Sequence, residues 1–151
     1  QVIRLGKDEV DARNLIYAHG LYSAGKGMMA HYANPLSKAM NGWASFRHLN
    51  IVRRLDKESF VYHLSWGCFY ALAPEMFIGD LDKAEKLLLK AVEIDPQFPD
   101  PYVRLAQIHR KRGDQTKYEE YMKKAFSLDP QNALALDIQS RTCDFICLDK
   151  K

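Results

Sequence analysis

One stretch of this chain occurs twice, 34 residues apart. Gly79-Asp80 recurs as Gly113-Asp114, Lys83 as Lys117, Glu85 as Glu119, Lys90-Ala91 as Lys124-Ala125 and Asp95-Pro96 as Asp129-Pro130. Eight of the eighteen positions from 79 to 96 are identical in the second copy. A fixed period of this size marks an array of paired helices, in which each unit buries its apolar side against the next. Such an array requires Ala91 and Ala125 to have like surroundings and no strand between the copies.

Composition narrows the function. The 151 residues suffice for one domain with a continuous core, and no apolar run is long enough for a membrane span. The net charge of +3 lies wholly within residues 1 to 79, with nine basic against six acidic groups. That bias is too dilute for nucleic acid, which needs a concentrated basic stripe. Cys68, Cys143 and Cys147 cannot all pair within one chain and read as small buried hydrophobes. Cys143 and Cys147 share a helical face but lack further ligands for zinc, so no metal and no cofactor is expected. The chain starts at Gln1 without a signal segment, which favours a processed, exported or periplasmic chain slightly over a cytoplasmic one.

Seven helices are expected. The first begins after a frayed 1 to 7, with Asp8, Glu9 and Asp11 in its opening turn. Its apolar face is Leu15, Ala18, Leu21, Gly25, Met28 and Tyr32. Gly20, Gly25 and Gly27 each weaken it by about 1 kcal/mol, so close approach of a neighbouring helix backbone is expected there. The run Gly20 to Gly27 nearly matches a phosphate-binding loop, but Gly27 lacks the hydroxyl that would hold magnesium and no strand precedes it. Asn34-Pro35 breaks the chain. The second helix, Leu36 to Leu55, is apolar on more than one side and should be buried twice. Arg47, Asn50 and Arg54 form a polar stripe on it.

The third helix, Ser59 to Ala73, is aromatic and is stopped by Pro74. Gly79 then suits a position of positive φ. Helices follow over Leu81 to Ile94, Pro101 to Arg112 and Gln115 to Leu128. A last one, Asn132 to Leu148, should cap the open end of the stack.

Residues 79 to 130 resemble the tetratricopeptide repeat (TPR) family. Counted from Pro99, Tyr102, Leu105, Ala106, Gly113-Asp114, Ala125 and Pro130 fall in the family's register, with Tyr118 in place of a small residue. Counted from Ser65, Gly79-Asp80, Ala84, Ala91 and Pro96 fit, while Cys68, Leu72 and Pro74 depart from the first-helix pattern. The resemblance implies an all-α fold, a right-handed superhelix of stacked helix-turn-helix units with a C-terminal capping helix. It divides a single domain, 1–151, into a degenerate long pair at 8–57, units at 58–96 and 97–130, and a cap at 131–148. The long first pair and the junction from Ala73 to Asp80 are also similar to exported bacterial relatives, among them a repeat subunit of a periplasmic solute-transport system.

The family implies a non-enzymatic scaffold that holds a protein or peptide in a concave groove. Projected on this chain, the partner-binding residues are Trp66, Phe69 and Tyr70 at one end and Arg104, Gln107, Arg110 and Lys111 at the other. Such a groove suits a peptide with apolar anchors and an acidic group, and leaves an oligomer open. The other reading is a small-ligand-binding or transport-associated subunit with a closed pocket. No catalytic set is legible: the five histidines lie on different helices, and no nucleophile or metal motif accompanies them.

Overall fold

A computed structural model describes residues 2–76 and 78–140, the side chains of 2–10 apart. It is all-α: α1 (Val2–Tyr32), α2 (Pro35–Leu55), α3 (Phe60–Leu72), α4 (Leu81–Ile94), α5 (Asp100–Lys111), α6 (Gln115–Leu128) and α7 (Ala133–Gln139). There is no strand among the described residues. The chain forms two compact units, 1–65 and 66–151, with the boundary inside α3.

The first unit is built on the hairpin of α1 and α2. Asn34 caps α2 by accepting from the Ser37 amide at 2.9 Å, and Pro35 takes the first turn, where its missing donor costs little. The helices run antiparallel, with facing pairs His19 and His48, Ser23 and Ser45, and Lys26 and Asn41. Between them the seam is narrow and polar. The Ser45 hydroxyl donates to the Ser23 carbonyl at 3.0 Å, and the Ser23 hydroxyl reaches the Ser45 carbonyl at 3.2 Å. A small apolar cluster of Ile16, Val52 and Val61, with Tyr62 against it, completes the interior.

Three expectations for this unit are corrected. The backbone is helical from Val2, so Asp8, Glu9 and Asp11 lie inside α1 and not in its first turn. The buried side of α1 is Ile16, Gly20 and Ser23, while Leu15, Leu21 and Tyr32 are exposed. The apolar period of α1 thus follows its outer surface, because Ser23 meets Ser45 in the seam and Gly20 faces Val61 of α3. Likewise α2 is buried along one line, Asn41, Ser45, Leu49 and Val52, and leaves Leu36, Met40 and Trp43 outside. Of the glycines, Gly20 has a close neighbour, but it is a side chain and not a helix backbone: a Cβ there would come 2.5 Å from Val61 Cγ1. Gly25 has nothing within 4 Å, and at Gly27 only Ser45 Oγ lies within reach, at 3.8 Å.

The second unit holds the two copies. Asp80 caps α4 and Asp114 caps α6 through the same bond, to Lys83 N at 2.9 Å and Lys117 N at 3.1 Å. Both helices close on Asp-Pro, with the Asp95 amide donating to Ala91 O at 2.9 Å and the Asp129 amide to Ala125 O at 3.0 Å. Ala91 and Ala125 are both fully buried. The two copies thus share their caps, their stops and a fully buried alanine, as a repeat demands.

The junction before α4 differs from expectation in one respect. Gly79 does not have positive φ; Gly113, at 77°, is the described glycine that does. Gly79 is required instead because the chain folds tightly over α3. A Cβ there would collide with Ala73 O and come 2.9 Å from Glu75 N, while the Ile78 and Gly79 amides both donate to Pro74 O. Helix α5 is the axis of the unit, with every residue from Pro101 to His109 buried. Tyr102, Val103 and Ala106 meet Tyr118, Met122 and Ala125 of α6 and Leu134, Ala135 and Ile138 of α7 in one core. Tyr118, in the slot where the family places a small residue, is part of that core and carries the Arg110 guanidinium 5.6 Å over its ring. The seventh helix caps α5 and α6 as expected. Its predicted extension to Leu148, with Cys143 and Cys147, lies outside the described residues.

Candidate functional site

The residues projected onto a groove come from α3 and α5 of the second unit. On α3, the rings of Trp66 and Tyr70 lie 5.4 Å apart, and Phe69 meets Trp66 edge-on at 5.7 Å. Trp66 is buried, whereas Phe69 and Tyr70 are half-buried. Lys83 stands 5.7 Å from the Tyr70 ring centre while paired with Asp80 at 2.9 Å. Its hydrogen bond to Asp80 raises the ammonium above its ordinary value.

On α5 the polar residues divide between interior and surface. Arg104 is buried and donates to Gln107 Oε1, also buried, at 2.6 Å. It sits beside Cys68 of α3, whose thiol is pushed up by burial against the opposing pull of the Arg104 charge. Arg110 donates to Ile138 O of α7 at 2.9 Å. Lys111 donates to Ala71 O near the end of α3 at 2.8 Å and is otherwise exposed. The α5 cations therefore tie the unit together. Phe69, Tyr70 and Arg110 are half-buried and Lys111 is exposed, whereas Trp66, Arg104 and Gln107 are buried.

Sequence reasoning missed a polar cluster between the two copies. His109, buried on α5, places Nε2 3.2 Å from Glu85 Oε1 and Nδ1 3.6 Å from Asp114 Oδ2, with its ring stacked 5.4 Å from Tyr121. Arg112 reaches back to α4, contacting both Asp82 and Glu85 at 2.5 Å. Burial works to raise the Glu85 carboxyl, but Arg112, by hydrogen bond and charge, and then His109 outweigh it and hold it below the usual range. The signal in the sequence was His109 and Arg112 ahead of the Gly113 turn, where the first copy has Glu75 and Ile78. Among the described residues, no group of three or more His, Cys, Asp or Glu is placed to hold a metal ion, and no helix is long and apolar enough to cross a membrane.

Equivalent caps, stops and buried alanines at a 34-residue interval define a helical-repeat protein of the helix-turn-helix kind. Residues 76–98 and 99–132 match the family model of the tetratricopeptide repeat, so that stretch is similar to two such repeat units. The first match begins only at residue 76, which agrees with the departure of α3 from the family's first-helix pattern. A search of curated proteins found no match. Tetratricopeptide repeats are in general protein-interaction modules, typically without catalytic activity.

Proposed function

We propose that the chain is a non-enzymatic scaffold whose second unit holds a protein or peptide partner against the exposed parts of α3 and α5. The observation that carries this reading is the contact of Lys111 Nζ with Ala71 O, on the turn of α3 that also carries the half-buried Phe69 and Tyr70. Ring edges of this kind bury well against an apolar side chain, and a neighbouring ammonium suits a carboxylate. A partner segment with one or two apolar anchors followed by an acidic group fits that pairing.

The test uses residues with free surface. Arg104→Glu would place a carboxylate inside the unit and destroy the fold, so it reports nothing on binding. Native pull-down with wild type is compared with Phe69→Ser and Lys111→Glu, using Lys123→Glu on α6 as a control for charge. Loss of the same partner in both variants, with retention in the control and intact melting, is the expected result. Equal retention in all four proteins would refute the placement on α3 and α5.

A further inference from the structure

The outer face of α2 in the first unit has a composition that neither the repeats nor the partner site uses. Opposite its buried line of Asn41, Ser45, Leu49 and Val52 stand Leu36, Met40, Trp43, Arg47 and Arg54, spaced so that all share one side of the helix. Leu36, Met40 and Trp43 are 74%, 66% and 64% exposed, and both arginines are exposed. From residue 12 to residue 55 the sequence has no Asp or Glu and six Lys or Arg. Large apolar side chains left in water at consecutive turns of one helix mark a surface that is covered in use.

The charge decides what covers it. A second copy of this chain would have to meet the face with its own, since a two-fold contact sets like against like. Cations would then oppose cations, with no acidic residue from 12 to 55 to relieve them. An anionic lipid surface has the opposite properties: it accepts Leu, Met and Trp at the boundary of headgroup and acyl chain, and its phosphates attract Arg. The polar seam fits the same picture. The hairpin is joined across its seam by Ser23 with Ser45 and by Lys26 with Asn41, while Leu36, Met40 and Trp43 stay outside it. We propose that the outward face of α2 docks on an anionic bilayer, with Leu36, Met40 and Trp43 entering the interface and Arg47 and Arg54 meeting lipid phosphates. The helix lies on the surface and does not span it.

The full chain is mixed with phosphatidylcholine vesicles with and without phosphatidylglycerol, and binding is read by sedimentation and tryptophan emission. Trp66 is buried, so a blue shift on binding reports Trp43. Binding to the phosphatidylglycerol vesicles, weakened by salt, is expected. Leu36→Ser with Trp43→Ser, and separately Arg47→Glu with Arg54→Glu, should each weaken it by about tenfold or more. These side chains are exposed, so melting should hold. No binding, equal binding to phosphatidylcholine alone, or binding unchanged in both double variants would each overturn the proposal. So would a wild-type dimer that Trp43→Ser dissociates without any affinity for vesicles.

Discussion

Gly113 closes α5 with φ of 77°, and the amides of Gly113 and Asp114 then reach back to Arg110 O and His109 O. A Cβ there would meet no neighbour, so Gly113→Ala isolates the backbone term and should cost about 1 kcal/mol in urea unfolding. Gly25 is the opposite case, helical, exposed and with open space around it. Gly25→Ala should stabilise by up to about 1 kcal/mol. Glycine identity alone could not separate the two, because what matters is φ in one and an empty neighbourhood in the other. Glu85 gives a pH prediction. Its folded carboxyl is held below the unfolded value, so its contribution is complete above the ordinary carboxylate range and is lost as pH falls through the folded value. The stability gap between wild type and Glu85→Gln should therefore be level above about pH 5 and shrink below about pH 4.

Helices α4 and α6 were readable to the residue, since each has an Asp that caps it and an Asp-Pro that stops it. Those signals are local chemistry and survive any tertiary context. Asp114→Ala should cost about 1 kcal/mol. Asn132→Ala should cost roughly 1–2 kcal/mol, because Asn132 caps α7 at Ala135 N and also donates to Asp100 Oδ1 at 3.0 Å. Equilibrium unfolding of the two variants side by side checks the order. For α1 and α2 the periodicity was legible but its direction was not. An apolar stripe normally points inward, and here Ser23 and Ser45 occupy the seam and Gly20 faces Val61 of α3, so the stripe points outward. Serines facing each other 22 residues apart in the chain are invisible to a reading that searches for hydrophobic period.

At the scale of the molecule, each unit has its own kind of interior. Ile16, Leu49, Val52 and Val61 are the buried apolar residues of 1–65 among the described side chains, whereas α5 is buried at every residue from Pro101 to His109. Local opening is easier where less apolar area is buried. Hydrogen exchange should therefore be slowest at α5 amides and faster through the middle of α1 and α2; equal protection would contradict this. The candidate site was half legible for a related reason. The repeat register placed Phe69, Tyr70, Arg110 and Lys111 on the correct helices. Whether Arg104 and Gln107 reach solvent depends on Cys68 and the helices around α5, which the register does not encode.

The reciprocal bonds of Ser23 and Ser45 have a mechanical consequence. Each hydroxyl reaches the main chain of the opposite helix, so sliding α1 past α2 by one turn would strand both serines at once inside the seam. The hairpin is thereby latched in a single axial setting. A load applied at its tip should travel to the other end as a rigid tilt rather than as piston motion of one helix along the other.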